Sequence, residues 1–428
     1  MEKTARGLWE ELRGYGADKA QCRVSNAQKQ ELNVENNRIT LMRTTFDDAV
    51  TLTAIRNQKR GVLSVGSRET DALREACRTV MELSDACPED DAYDIAAREE
   101  GADSFSDGPE QGDRALLLYR LEELLASLER DYPSVRIVDG TVEFTARETL
   151  LANSNGVLLH ARDGRYSFGF SFAAQSEGRV ASLNGAGCVS RDLSAPLLET
   201  GGFRALVEQN IRELDAAPLG DKFTGALVIT PHCLPDFLGF YVGAFLSDGA
   251  LISGTSLFRD KLGQRVAGEN IHIYADPAAP GLCGNPITQD GFRARREDFI
   301  QNGVLSSFAL SLYGARKTGG VRAGNTGETV MLPPGEIDYE ALVGGVECGI
   351  LLGRFSGGYP SDNGDFSGVA KNSFLIENGR VTRPIAETMV AGNLAEMFRQ
   401  VRGASKETLS FGAGAYPWLC ADGLVVSG

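Results

Sequence analysis

A long alternation of apolar and polar residues near the N-terminus constrains the fold most. Between residues 22 and 66 the chain is rich in valine, leucine, isoleucine and threonine, and residues 50–55 read Val-Thr-Leu-Thr-Ala-Ile. A period of two places alternate side chains on one face of a β-strand. The polar residues 57–61 interrupt this pattern and predict a turn. We therefore expect an antiparallel meander, and the 50 glycines of the chain also favour tight turns over a helical bundle.

Four stretches of the first half predict helices. Residues 4–15 form an amphipathic opening segment, and Thr70 can cap a second helix. A third helix should end at Pro133, because the residue before a proline disfavours helical geometry. A fourth is expected over about residues 197–216. The apolar face of the second helix is Leu73, Ala76, Cys77, Val80 and Met81, and that of the third is Leu117, Leu121, Leu124, Leu125 and Leu128.

The segments between these helices predict a loop and several strands. Residues 88–113 are strongly acidic with little apolar content, which indicates an exposed loop. The dipeptides Asn155-Gly156 and Asp163-Gly164 are typical of hairpin turns. The strands they would join are expected at 135–142, 143–152, 158–161 and 166–174.

The pattern changes near Pro218, where we place a domain boundary between residues 1–220 and 221–428. The second domain opens with an apolar strand at 226–230 and a mostly apolar helix at about 235–246. Short strands with glycine-rich turns follow. We therefore expect an α+β fold in two domains: an N-terminal antiparallel sheet with flanking helices, then a β-rich domain built around a central helix.

Composition and charge limit the classes of partner. The formal net charge is −15, from 43 Lys+Arg against 58 Asp+Glu, and basic runs are short, such as residues 293–296. Because such a chain repels phosphate backbones, we expect no direct contact with nucleic acid. No stretch approaches the ~18 apolar residues that span a bilayer, so we expect no membrane contact. The absence of a signal core and of a C-x-x-C pair predicts a cytoplasmic protein with free thiols.

The common catalytic motifs are missing. The sequence has no phosphate-binding G-x-x-x-x-G-K-[ST], no dinucleotide G-x-G-x-x-G between a strand and a helix, and no G-x-S-x-G elbow. Of the three histidines, His160 and His272 fall in predicted strands and are expected to be structural. His232, Cys233 and Asp236 lie together where a helix should begin. A turn or cap is favoured there, with a hydrolase that uses Cys233 or His232 as the alternative.

Four segments of the second half resemble a known family. In order they read SLFRDKLGQRVA at 256–267, YGARKTG at 313–319, GDFSG at 364–368 with FLIENG at 374–379, and PIAETMVAGNLAEM at 384–397. Together they closely resemble the PmbA (TldE)-like branch of the TldD/PmbA family, whose members are also labelled modulators of DNA gyrase. The resemblance covers residues 221–428 and is looser in the first half. It implies that the second domain is barrel-like.

The resemblance also implies a metalloprotease complex of two subunits. The TldD-like subunit carries H-E-x-x-x-H, whose histidines hold zinc together with a cysteine, while the glutamate acts as general base. Aligned on the first segment, this motif falls within the predicted 235–246 helix. Gly239 and Ala244 then occupy the histidine positions and Phe240 the glutamate position, and the cysteine position near Gly403 holds no cysteine. We therefore expect no catalytic residue, metal or cofactor in this chain, and zinc only in a TldD-like partner.

The third segment is the candidate surface for contact with a peptide or a partner. Its residues are Gly364, Asp365, Phe366, Ser367 and Lys371. Relatives usually continue this segment with Arg-Gly-Ala, whereas this chain has Gly-Val-Ala-Lys, so a contact made by that arginine is lost or moved to the lysine. A peptide could add here as an extended strand through backbone hydrogen bonds. A plain turn and strand is the alternative.

Two functions remain open from the sequence. In the first, the chain is a non-catalytic subunit that pairs with a TldD-like zinc-bearing subunit and encloses a cavity where unfolded or modified peptides are degraded or matured. In the second, it is a homodimeric module that binds peptides or proteins without hydrolysis. The sequence does not separate them, because a dimer interface has the same character in both.

Overall fold

The structure, a computed structural model, describes residues 1–386 and 388–428. Glu387, in the fourth family segment, lies outside the described residues. The helices are α1 (Glu2–Gly14), α2 (Thr70–Ala86), α3 (Arg114–Asp131), α4 (Phe203–Arg212), α5 (Leu234–Phe245), α6 (Asp248–Ser253), α7 (Leu312–Thr318), α8 (Tyr339–Gly344) and α9 (Leu394–Arg399). Two short 3-10 turns, Leu197–Glu199 and Glu213–Asp215, flank α4.

The strands form three sheets. Those of the first sheet are β1 (Lys19–Glu35), β2 (Arg38–Arg56), β3 (Lys59–Val65), β4 (Ser104–Asp107), β5 (Val135–Asn153), β6 (Leu158–Ser176), β7 (Arg179–Val180) and β8 (Asn184–Ser190). The others are β9 (Ala217–Pro218), β10 (Phe223–Ile229), β11 (Ile273–Ala275), β12 (Glu297–Gln301), β13 (Val304–Leu305), β14 (Val330–Met331), β15 (Cys348–Leu352), β16 (Arg354–Gly357), β17 (Asp365–Lys371), β18 (Ser373–Glu377), β19 (Arg380–Ala386), β20 (Thr388–Asn393), β21 (Val401–Ser410) and β22 (Ala415–Ser427).

The first sheet has the order β3-β2-β1-β5-β6, with β4 and β8 paired along the outer edge of β6. The predicted meander of residues 22–66 is confirmed as β1, β2 and β3. Its turn lies at Asn57 and Gln58, whose φ angles of 51° and 59° are the left-handed values that a two-residue hairpin turn requires. The helices α1 and α2 pack on one part of this sheet, and α3 and α4 on another.

The predicted helices are present, with two corrections. The apolar faces of α2 and α3 are buried as expected, except that Leu125 is half-buried. Thr70 does not cap α2, because Glu69 occupies the N-cap position and makes no side-chain capping bond. The helix expected at 197–216 is interrupted, since Gly201 and Gly202 adopt left-handed φ angles of 61° and 72° before α4 begins.

The hairpin predicted at Asp163-Gly164 is wrong, whereas the turn at Asn155-Gly156 does join β5 to β6. Asp163 and Gly164 continue β6 and pair with β5 without interruption. A Cβ atom at Gly164 would overlap the carbonyl oxygen of Pro109. The glycine therefore permits close packing of another segment on the strand and does not reverse the chain.

The prediction of an exposed loop at residues 88–113 holds for much of the segment but is wrong at residues 92–96. Ala92, Ile95 and Ala96 are buried. The carboxylate of Asp90 accepts hydrogen bonds from Tyr313 and Lys317, that of Asp94 binds Lys19 and Arg316, and all four donors belong to other elements. Two of the acidic residues that suggested solvent exposure, Asp90 and Asp94, are thus neutralised by partners distant in sequence.

The second sheet contains ten strands, with β10 and β22 near its middle, and α5 lies in the core beside it. Both large sheets curl into half-barrels, and the mixed α+β fold class is confirmed. The boundary at residues 220 and 221 stays a prediction, and β9 at 217–218 pairs with β19 of the second sheet. Among the described residues, none of the helices combines the length and apolarity needed to cross a bilayer.

The two halves of the chain meet through a buried contact. Ala96, Leu151, Val157, Leu159 and Ala161 of the first half pack with Ile287 and Phe292 of the second. Beside them the buried Arg293 guanidinium donates hydrogen bonds to the carbonyl oxygens of Glu99 (2.8 Å), Gly101 (3.1 Å) and Ala102 (2.5 Å), and it pairs with the Asp103 carboxylate.

Two glycines of β6 form a matched test of this packing. We expect Gly164→Ala to lower the free energy of unfolding by about 1–3 kcal/mol, because its methyl group would displace the Pro109 carbonyl. Gly169→Ala is the control, since a Cβ there meets no atom within 4 Å, and it should be neutral or stabilising by up to ~1 kcal/mol. Urea unfolding of both variants measures the difference, and equal stabilities would contradict this account.

Candidate functional site

The positions assigned to the zinc motif lie on the outward face of α5. The helix begins at Leu234, and its second residue is a proline. A proline is tolerated there because the N–H groups of the first turn have no hydrogen-bond partner within the helix. Its apolar face enters the core through residues such as Phe237 and Tyr241. Gly239 is exposed on the opposite face, and Phe240 and Ala244 are half-buried there. A Cβ at Gly239 would meet no atom within 4 Å, so this face has room for larger side chains.

A cleft of about 260 Å³ lies over this face. One wall is formed by Phe240, Gly243 and Ala244, and the other by residues 359–362 of the loop between β16 and β17. The ring of Tyr359, 87% exposed, meets the Phe240 ring edge-on at a centroid distance of 5.4 Å. Among the described lining residues, the only carboxylate is Asp362. The cleft therefore offers aromatic and small side chains.

The structure brings the third family segment against the same helix. Gly364 has a φ angle of 88°, and a Cβ there would press on the Phe245 ring. Phe366 is buried and packs edge-on against Phe237 at 5.5 Å, so it supports the cleft from beneath. Ser367 is exposed on β17. The sequence did not predict that the candidate contact residues and the motif positions would be neighbours.

An asparagine holds the loop that forms the second wall. The amide nitrogen of Asn393 donates to the Asn363 carbonyl at 2.8 Å and to the Asp365 carboxylate at 2.9 Å. Its oxygen accepts from the backbone N–H groups of Ala395 and Glu396 at the start of α9. The amide donors of Asn393 and Asn363 lower the pKa of Asp365, because they stabilise the carboxylate.

Lys371 lies at the opposite end of β17 and does not line the cleft; Arg354 of β16 is its partner across the strands.

The geometry also limits the addition of a peptide strand to β17. β17 pairs with β20 on one side, and over residues 368–371 it pairs with β16 on the other. The edge of the described sheet is β16, so an added strand could meet β17 only at residues 365–367.

The three histidines are engaged in structural contacts. His160 lies 2.7 Å from Glu148, and His272 lies 2.7 Å from Asp298. The ring of His232 contacts the Gly201 carbonyl at 3.0 Å, and burial lowers its pKa. Cys233 is buried, and burial raises the pKa of its thiol, which disfavours the reactive thiolate. This geometry argues against a hydrolase centred on Cys233 or His232.

The donor set does not fit a zinc ion. Within residues 1–386 and 388–428, no three His, Cys, Asp or Glu side chains are grouped so as to hold a metal. At the expected cysteine position, Gly403 of β21 stands opposite Cys420 of β22, and burial raises the pKa of that thiol to about 11. Catalytic zinc needs three protein ligands, and the side chains at the motif positions supply none.

Sequence reasoning missed two parts of the site. Tyr359 stands alone in a Gly-Gly-Tyr-Pro loop, and no periodicity marks it. The second part is a cavity of about 540 Å³ that shares Ser247 with the cleft and extends to the first sheet. It is lined from that sheet by Arg23, which donates to the Thr288 carbonyl at 2.7 Å, and by Arg60. Only the folded chain brings these residues together.

Comparison with known proteins agrees with this architecture. Residues 224–428 match the family model described as the PmbA/TldA metallopeptidase C-terminal domain. A segment of 297 residues is 26% identical to a metalloprotease of Methanothermobacter thermautotrophicus and covers 63% of each chain. Over 402 residues the chain is 23% identical to metalloprotease PmbA of Escherichia coli O157:H7, covering 91% of this chain and 88% of that one.

The fold matches a solved structure of the same group. TldE from Thermococcus kodakarensis superposes with a TM-score of 0.83 at 20% identity, covering 99% of this chain and 100% of that one. The chain therefore has the same fold as this TldE. The chain is thus similar to PmbA/TldE-like proteins, through the family model that its second half matches and through relatives that align over most of its length.

We expect Asn393→Ala to destabilise the cleft wall. The substitution removes the α9 cap and both amide contacts to the loop, which should cost about 1–2 kcal/mol and speed proteolysis of residues 358–364. Asn393→Asp keeps an acceptor for the cap but loses the donor, so it should retain α9 and still loosen the loop. Asn285→Ala, which removes one exposed amide contact, is the control. Unchanged proteolysis in both Asn393 variants would contradict this role.

Proposed function

We propose that this chain is the non-catalytic subunit of a TldD/TldE-type metallopeptidase. Its partner is a TldD-like zinc-bearing subunit, and together they degrade or mature unfolded or modified peptides. One observation carries the proposal: Gly239, Phe240 and Ala244 give α5 an accessible face beside a cleft, with space for side chains but without ligand atoms. The metalloprotease names of relatives support the reaction class.

The cleft would bind the peptide substrate and would not take part in its hydrolysis. Phe240 and Tyr359 offer ring surfaces for apolar side chains, and Ser253 and Thr255 offer hydroxyl groups for polar ones. Such a surface discriminates little between sequences, which suits unfolded peptides. Because Ser247 also lines the larger cavity, an extended peptide could continue from the cleft towards the first sheet.

The outer edge of β2 is the proposed partner surface. β3 pairs with β2 only over residues 50–56, and no other described strand pairs with the edge of residues 38–49. This edge carries the exposed side chains of Leu41, Met42 and Phe46. A long exposed edge with apolar side chains favours pairing with another chain. A partner of the same fold would present a similar edge, and two curled sheets joined there would enclose a chamber.

The decisive experiment compares the purified chain, its TldD-like sibling and their mixture. We expect no stoichiometric zinc in this chain alone and no peptide cleavage by it. The mixture should bind zinc, cleave unfolded peptides and lose activity with a chelator. The sibling alone should be slower than the mixture at equal zinc content.

Other outcomes would reject the proposal. Full activity of the sibling alone would remove any role for this chain in proteolysis. Chelator-resistant cleavage by this chain alone would identify it as an independent hydrolase. Isolation from its native cell as a homodimer that binds peptides, with no sibling, would favour the peptide-binding module.

The partner surface is tested by Phe46→Lys. Phe46 is 75% exposed, and a lysine on a strand edge opposes pairing with another strand. Loss of an aromatic contact at an interface costs ~2 kcal/mol, so association should weaken by tenfold or more while the monomer stays folded. Val321→Lys, at an 83% exposed position in the second half, is the matched control and should leave association unchanged. Analytical ultracentrifugation measures both, and equal affinities would exclude this edge.

A further inference from the structure

A carboxyl group is buried where the two halves of the chain meet. Glu213, in the 3-10 turn after α4, is 5% exposed. Its Oε2 accepts hydrogen bonds from the amide nitrogens of Asn210 at 3.2 Å and Asn372 at 2.8 Å. Asn210 belongs to α4, and Asn372 forms the turn between β17 and β18. The carboxyl group therefore links the first half to the second sheet.

Two oxygen atoms of this cluster have no hydrogen-bond partner among the described residues, Glu213 Oε1 and Asn372 Oδ1. Both are acceptors while the carboxyl group is ionised, so neither can satisfy the other. A proton on Oε1 changes this, because a carboxylic acid and a primary amide can form two hydrogen bonds in a ring. The acid O–H donates to the amide oxygen and the amide N–H to the acid carbonyl. The 2.8 Å contact of Oε2 is already one side of that ring.

The surroundings favour the neutral acid. Burial raises the pKa of Glu213 to about 8, and the amide donors offset only part of this effect. The charged residues of neighbouring elements include Arg179, Arg204, Glu208, Arg212, Asp215, Arg354, Lys371, Glu377, Arg380 and Arg383. Arg179 pairs with Asp215, while Arg212, Arg354 and Arg383 donate to backbone carbonyls. Among the described residues, Glu213 has no ion-pair partner.

We propose that Glu213 is protonated in the folded protein at neutral pH and forms, with Asn372, a pH-sensitive latch between the two halves. Ionisation leaves a carboxylate facing the amide oxygen of Asn372, with both oxygens unsatisfied. Asn372 has a φ angle of 52° and follows Lys371, so opening the latch frees the turn at the end of β17. That strand begins beside the cleft. The latch is intrinsic to this chain and does not depend on zinc or a partner.

The direction of the pH effect follows from proton binding. The ordinary pKa of this carboxyl group is 4.5, and its pKa in the folded state is about 8. Between these values the folded state binds one more proton than the unfolded state, so the free energy of unfolding falls as pH rises. The stabilisation is fully present below pH 4.5 and is lost as pH rises through about 8.

The variant Glu213→Gln isolates this effect. Glutamine keeps the shape, donates its NH2 to the Asn372 oxygen and does not titrate. Between about pH 6 and pH 7, the folding equilibrium constant of the wild type should fall about tenfold per pH unit relative to this variant, and it should fall less steeply towards pH 8. Urea unfolding across this range measures the ratio. Glu177→Gln, at an 83% exposed side chain, is the matched control and should follow the wild type.

Hydrogen exchange tests the latch itself. At about pH 9, residues 213–215 and 371–373 should exchange faster in the wild type than in Glu213→Gln, and at about pH 6 the two should agree. Comparison at equal pH removes the intrinsic pH dependence of exchange. A pH-independent stability ratio, or equal exchange at high pH, overturns the proposal. If the variant does not fold, infrared spectra of the wild type decide: the carbonyl stretch of a protonated carboxyl group must disappear between pH 6 and pH 9, and its absence at pH 6 rejects the latch.

Discussion

The buried guanidinium of Arg293 fixes how the two halves of the chain meet. A charge removed from water is stable only when its donors are paired, and here backbone carbonyls of residues 99–102 and the Asp103 carboxylate supply the acceptors. The next residues form β4, which pairs with β6. The contact thus ties a loop of the second half to the outer edge of the first sheet. Asp94 and Ile95, a few residues before this contact in the chain, line the cavity that also contains Ser247.

A second constraint is the asymmetry of α5. Its inner face carries a row of aromatic residues, in which the Tyr241 ring packs against Phe245, Phe258 and Phe398. Such packing fixes the rotation of the helix, so the residues of the outer face have a defined direction. Gly239 and Ala244 are small and Phe240 extends towards Tyr359. The outer face therefore has a fixed direction, while Gly239, Phe240 and Ala244 themselves contain no side-chain atoms that could bind a metal.

The sequence predicted features that depend on local periodicity and failed where distant contacts decide. The spacing of apolar residues was enough to predict the meander, the helix α5 and the apolar faces of α2 and α3. Burial of one face of a strand or helix places apolar residues at regular intervals in the sequence. Gly164 resembled a turn glycine, but Pro109 requires it through a contact 55 residues away. The acidic residues Asp90 and Asp94 suggested solvent exposure, but cations more than 200 residues away bind them. Tyr359 carries no local signal, since it matters only through its position opposite α5.

The choice between a zinc-bearing sibling and a second copy of this chain rests on what a closed chamber would contain. The open edge of β2 suits either pairing, because strand addition depends on backbone groups. Two copies would enclose two walls of the same aromatic and small residues, and peptides could bind there without being cut. Paired with a TldD-like subunit, one wall would supply the metal, while Phe240 and Tyr359 would hold the peptide without competing for zinc. A helix that lies beside a cleft, with no ligand atoms at Gly239, Phe240 and Ala244, suits a binding wall next to a separate metal site, and this favours the proposed heterodimer.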